Sequence, residues 1–336
     1  MYIPLHGHST YSFLEALWPT KQIVDKAKEI WLTAIAITDY KGIYCYPSFY
    51  LAAKEAEIKP IIGVELAFVQ EIQNKLPIKK IGNICLIALN NQWYQNLRDI
   101  ITVANEIGLE WTAKIDFETL EKYHEGLVCF YGGIESRCSV ILNDNGDEEK
   151  IRDWHQRLQK IFGANLYLEM TAQDENMHEY EKINRFLYKL SQQTNTPCII
   201  NNNYFYPKEE LKYTREIALS IKDGTKMFDP WRRSPKGKFH IMEEKEIREI
   251  CLENGYKEEE IQQRLDNNAK IAEQANVEID FGQALFPVYE TPEHVQNLYD
   301  QFASWAIIPD EDCWWIEKVS QEDKAMIEKY LPQKKG

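Results

Sequence analysis

Two histidines one residue apart, His6 and His8, open the chain within "MYIPLHGHSTYS". Side chains of an extended strand alternate between faces, so this pair points to one side. Two imidazoles on one face at a strand end suit a divalent metal, and a metal held there would activate water for phosphoester hydrolysis. HxH alone is a weak signal, because histidine also serves freely in structural roles. Two carboxylates stand in comparable places: Asp39 ends the run "LTAIAITD" and Glu65 lies inside "KPIIGVELAFV". Each by itself fits a capping or hydrogen-bonding role. The remaining histidines, His124, His155, His178, His240 and His294, fall in helical or loop contexts and read as surface or structural.

The elements that must position these residues are seven short apolar runs, at 2–6, 32–39, 59–69, 83–90, 126–133, 165–171 and 197–205. Between them lie segments of helical period at 20–30, 46–57, 92–108, 148–162 and 178–193. Several runs are apolar on both faces, as strands covered by helices in a parallel sheet are. The alternation predicts an α/β fold, either a doubly wound sheet or a closed barrel, and the pattern alone does not separate the two. Beyond about residue 209 the strand runs stop and the chain turns helical and charged.

Composition narrows the function classes. The chain of 336 residues is 44% hydrophobic and carries a formal charge of -14. No window approaches the roughly 18 uninterrupted apolar residues of a membrane span. The start lacks the basic and apolar regions of a secretory signal, so a cytoplasmic location is expected. Seven cysteines, odd in number and without a CxxC pair, argue against a disulfide framework and against a zinc ribbon. A charge of -14 repels a polyphosphate backbone, so contact with DNA is expected to be local or supplied by a larger assembly. The basic run at 222–240 reads as a solvated loop.

Taken together, "LHGHSTYSFLEA", "LTAIAITDYKG" and "KPIIGVEL" at this spacing resemble the opening of the PHP family, the polymerase and histidinol phosphatase domain. More narrowly they are similar to the N-terminal PHP region of bacterial replicative DNA polymerase III alpha subunits. The resemblance continues through "LIALNN", "GLVCFYGG" and "PCIINNNYFYP" into "DPWRRSPKGKFHIM" and "NNAKIAEQANVEIDF", about the first 290 residues. It implies a distorted seven-stranded β/α barrel, TIM-like, over 1–208, a helical extension over 209–290, and a linker over 291–336 toward a palm domain that this chain lacks.

Family members with an intact site bind up to three metal ions through His, Asp, Glu and sometimes Cys. Here the resemblance carries over His6, His8 and Glu65, with Glu15 where polymerase relatives usually have Asp. Elsewhere the pattern departs. Tyr40 replaces a His, Asn83 stands where a His is common, and Gly133 occupies a position often filled by Cys. In the last motif Asn203 replaces an Asp and Phe205 a His. A neutral amide is a poor substitute for carboxylate and a phenyl ring ligates nothing, so no cofactor, or at most one divalent zinc or manganese ion, is expected.

The resemblance therefore implies a structural module of a replicative polymerase that serves DNA replication. Its implied partners are the remainder of the alpha subunit and a proofreading exonuclease subunit that docks against the PHP domain. A metal-dependent phosphoesterase or 3′–5′ exonuclease with a reduced site is the alternative, and a free histidinol-phosphatase-like enzyme is weaker, since the extension has no role in it. Whether the chain is a fragment, a split gene product or a free protein stays open. One further residue stands out. Trp31 follows the helical segment 20–30 where a left-handed residue is wanted, the place of a glycine and the residue expected if a glycine codon were read as tryptophan.

Overall fold

The computed structural model describes residues 1–73, 81–109, 112–144, 146–173 and 177–282. Residues Met1–Ile279 form one compact unit, so the helices after residue 209 share a unit with the barrel. Residues Asp280–Gly336 cluster separately, and the predicted linker at 291–336 lies outside the described residues.

In chain order the elements are α1 (Thr20–Glu29), β1 (Ala34–Ile37), α2 (Tyr46–Glu55), β2 (Lys59–Phe68), β3 (Gly82–Ala88), α3 (Asn91–Glu106), β4 (Lys114–Ile115), α4 (Phe117–Tyr123), β5 (Leu127–Gly132), α5 (Arg137–Asp144), α6 (Glu148–Phe162), β6 (Leu166–Thr171), α7 (His178–Thr194), β7 (Cys198–Asn201), α8 (Lys212–Asp223), α9 (Glu244–Glu253) and α10 (Glu258–Gln274). The sheet runs β1-β2-β3-β5-β6-β7, with β4 beside the end of β2. It is mixed rather than parallel throughout, because β3 is antiparallel to both β2 and β5. The sequence has no segment of helical period between the runs at 59–69 and 83–90, and antiparallel neighbours need no crossover helix.

The first apolar run closes the barrel without becoming a regular strand. Pro4 has no N–H to give a ladder, and Leu5 N–H turns to the Asn201 side chain at 2.9 Å. Contacts on both flanks remain: Ala36 N–H donates to Pro4 O and Thr38 N–H to Gly7 O, while His8 N–H reaches Tyr204 O. A step of two residues on β1 thus answers a step of three on the first run, the signature of a bulge. The extra residue matters. Ile3 and Leu5 pack inside the barrel, and in an unbroken strand His6 and His8 would face the other way. Gly7 sits at the slip because the Tyr204 ring lies against it, 2.0 Å from where a Cβ would be.

Two apolar layers follow from strand alternation. Ala34, Ala36, Ile61, Ile87, Phe130, Tyr167 and Ile199 fill the barrel, and Ile271, Ala272 and Ala275 at the end of α10 join them. The alternate residues, among them Ile35, Ile62, Leu86, Leu168 and Ile200, pack outward against the helices. Helix α1 ends as its sequence predicts: Trp31 has φ +61°, and Leu32 N–H reaches back to Ala27 O at 2.9 Å. No helix among the described residues is long and apolar enough to cross a membrane.

Candidate functional site

The inward face of each strand changes from apolar to polar toward the carboxyl ends of the parallel strands, the end at which β/α barrels place their sites. Glu65 follows Ile61 on β2, Glu169 follows Tyr167 on β6, and Asn201 follows Ile199 on β7. Cys85 on β3 lies directly across from Glu65. These residues, with His6 and His8 from the bulged first run, converge on one buried cluster.

His6 is its centre. One ring nitrogen, Nδ1, lies 2.8 Å from Glu169 Oε1, and the other, Nε2, lies 2.9 Å from Glu65 Oε2. Burial pushes the imidazole pKa down, but Cys85, Glu169 and Glu65 together hold it well above its ordinary value. Of these, Cys85 is a thiol that burial raises, so the carboxylates carry the effect. Glu65 moves the opposite way: burial raises it, and His6 and His8 pull it down to about 2. Both carboxylates also accept from amides, Glu65 from Asn83 Nδ2 at 2.8 Å and Glu169 from Asn201 Nδ2 at 2.9 Å.

His8 occupies a different environment. Its ring stacks on Tyr40, centroids 4.2 Å apart, and on Phe205, 4.4 Å apart, with near-parallel planes in each pair. The stack continues to Arg215, whose guanidinium carbon lies 3.5 Å from the Phe205 centroid. Nδ1 of His8 meets Ser12 Oγ at 3.0 Å. Nε2 lies 3.3 Å from Glu65 Oε2, within ion-pair range but without hydrogen-bond alignment. Tyr40 donates its hydroxyl to Glu135 at 2.6 Å. Asp39 is fully engaged, accepting from Ser9 N–H at 2.7 Å, Ser9 Oγ at 2.5 Å and Ser12 Oγ at 2.6 Å.

The positions singled out in the sequence therefore divide. His6, His8 and Glu65 meet, with Tyr40, Asn83 and Phe205 around them. Glu15 lines the same cleft of about 640 Å³, but its carboxylate accepts from Lys222 at 2.7 Å and from Arg233 at 3.0 Å. Gly133 has φ +67° and faces Thr171. Asn203 has φ +50°, and its buried Oδ1 has no hydrogen-bond partner. Cys85 and Glu169 were not singled out. The signal for Cys85 is its place two residues after Asn83, on the same strand face. That for Glu169 is a lone carboxylate in the otherwise apolar run "NLYLEMT".

Among the described residues, the group of donors able to share one ion is His6, Glu65 and Cys85, whose ligand atoms lie within 4.8 Å of one another. Two or three ions do not fit. The aromatic rings of Tyr40 and Phe205 both stack on His8, Glu15 is held by two cations, and the amides of Asn83 and Asn201 present N–H groups to the carboxylates. A further carboxylate of the cleft, Glu135, accepts the Tyr40 hydroxyl, and the oxygens left unengaged are few for closely spaced dications.

Comparison with known proteins agrees with this architecture. The PHP domain model matches residues 4–173, half of the chain. DNA polymerase III subunit alpha of Borreliella burgdorferi is 29% identical over 306 residues, covering 88% of this chain and 26% of that protein. The subunit of the same name from Aquifex aeolicus is 28% identical over 229 residues, covering 66% of this chain and 20% of that protein. The chain thus spans about a quarter or less of the length of these relatives. The chain belongs to the PHP domain family, with its likeness to the N-terminal region of bacterial DNA polymerase III alpha subunits.

Proposed function

We propose that this chain is a degenerate PHP module of a bacterial DNA polymerase III alpha subunit, serving DNA replication as a structural and docking element. The observation that carries the reading is the engagement of His6 by Glu65 and Glu169, one at each ring nitrogen. An imidazole that donates from both nitrogens has no lone pair for a metal, and it neutralises within the protein the charge a metal would otherwise balance. The Tyr40–His8–Phe205–Arg215 stack supports the same reading, since it fills with aromatic packing the surroundings of a second imidazole. The natural partners of such a module are the rest of the alpha subunit and a proofreading exonuclease subunit, with DNA reached through that assembly in the cytoplasm.

A second reading keeps one divalent ion, zinc or manganese, on His6, Glu65 and Cys85, for a phosphoesterase or 3′–5′ exonuclease activity. What favours it is the closeness of those three donor atoms. A nuclease assay separates the two. The purified chain, given a single-stranded DNA 3′ end with added manganese or zinc, is expected to release no nucleotide above a chelated control, and to co-purify with the proofreading subunit of its source. Metal-dependent release abolished by His6→Ala would establish the second reading instead.

A further inference from the structure

Far along β7 from Asn201, at the start of that strand, the protein buries a cation that makes no ion pair. Arg264 points inward from α10 and is 4% exposed. Its guanidinium carbon lies 4.6 Å from the Tyr256 ring centroid and 5.7 Å from that of Tyr188. Nη1 is buried with no hydrogen-bond partner. Among the described residues Arg264 has no ion pair, and no carbonyl, carboxylate or hydroxyl oxygen accepts from it.

The nearest carboxylate feels the charge of the guanidinium but makes no ion pair with it. Glu260, one helical turn earlier, accepts the Tyr188 hydroxyl at 2.8 Å through Oε1 and the Lys257 N–H at 3.0 Å through Oε2. Cys198 stays a neutral thiol, because burial raises it. The tyrosine rings offset part of the desolvation of the guanidinium, but a cation–π contact does not replace an anion. A cavity of about 280 Å³ opens beside this group, with Ser191, Asn195, Thr196 and Asn267 among its lining, together with Arg264 itself and Glu260.

Buried charges persist where they are paired, and the planar fork of a guanidinium matches the oxygens of phosphate-like anions. Among the other lining groups the Ser191 hydroxyl already donates to Thr196 O and the Asn267 amide to Cys198 O, so the guanidinium supplies the attraction for an anion and Glu260 opposes it. The site is concave and walled by α7, β7 and α10, which favours a small free ligand over a flat protein surface. We propose that this cavity binds a small oxyanion of the phosphate class, with Arg264 as its principal contact. It is separate from the His6 cluster, and the reading of that cluster does not bear on it.

Equilibrium dialysis of inorganic phosphate and of pyrophosphate against the whole chain, at fixed ionic strength, tests this. The expected result is saturable binding of at least one probe at one site per chain, weakened about tenfold or more in Arg264→Gln and less in Arg264→Lys, which keeps the charge and loses the fork. No saturable binding to the native chain, or equal binding by Arg264→Gln, overturns the proposal. Binding that arises only in Glu260→Gln also overturns it, since Glu260 would then be the partner of Arg264. Should Arg264→Gln fail to fold, the side-chain nitrogen resonances of Arg264 in the native chain decide. A shift on phosphate titration supports the site, and an unmoved signal contradicts it.

Discussion

His6 holds two buried carboxylates apart, and this is where a single residue matters most. Glu65 and Glu169 are 3% and 1% exposed, and each has His6 as its charged neighbour within hydrogen-bond distance. Removing the ring leaves two nearly inaccessible carboxylates facing one another. His6→Ala is therefore expected to lower the unfolding free energy by about 3–5 kcal/mol, measured by urea denaturation at neutral pH. A loss below about 1 kcal/mol would mean that the bridge is not holding the cluster together. Trp31 makes the opposite case. Its side chain is 85% exposed and its backbone is left-handed, so the ring contributes little burial while the Cβ is strained. Trp31→Gly is expected to stabilise the chain by about 1 kcal/mol, visible as a raised denaturation midpoint, and an unchanged or lowered midpoint would count against the strain.

At the scale of elements, the bulge in the first run decides what the barrel mouth contains. Without the extra residue between Pro4 and Gly7, the face that buries Ile3 and Leu5 could not also present His6 and His8. Gly7 permits the slip by letting Tyr204 close over it, with the Tyr204 hydroxyl anchored on Ala36 O at 2.5 Å. Gly7→Ala is expected to cost about 2 kcal/mol or more, because the new methyl meets a ring fixed at its far end. Thermal denaturation checks it, and a midpoint within a degree of the native chain would show that the ring can move. Much of this level was legible in the sequence. Five helical segments appear within about two residues of their predicted bounds, since four carry a strong apolar stripe and the fifth, α2, buries Tyr46, Phe49, Tyr50 and Ala53 at helical spacing. The short elements β4, α4 and α5 were not legible, being too brief for periodicity to register. Nor was the slip at His6 and His8, because a bulge depends on the neighbouring strands and leaves no mark in a local pattern. For the same reason His6, His8 and Glu65 could be named from motifs, whereas Cys85 gained meaning only when β3 paired antiparallel with β2.

For the whole molecule, stability and chemistry are linked through buried titrating groups. His155 is fully buried on α6, between the Tyr131 hydroxyl at 2.7 Å and Thr196 Oγ1 at 2.9 Å, and burial lowers its pKa to about 4. The unfolded chain binds a proton at an ordinary histidine value near 6.5, so its folded state loses ground as pH falls from about 6.5 toward 4 and is unaffected above that window. The expected slope is roughly 1.4 kcal/mol per pH unit within the window, flattened in His155→Gln, as urea midpoints at pH 7 and 5 would show. This histidine is far from the chemistry in role: it is a neutral hydrogen-bonding link between β5, α6 and the start of β7.

In the proposed function the His6 cluster is closed by the protein's own groups. Metal content of the purified chain, read by inductively coupled plasma mass spectrometry beside a His6→Ala, His8→Ala double variant, tests it most directly. Less than about a tenth of an equivalent of zinc, manganese or iron is expected, the same in both proteins. Near-stoichiometric metal in the native chain that disappears in the variant would contradict it.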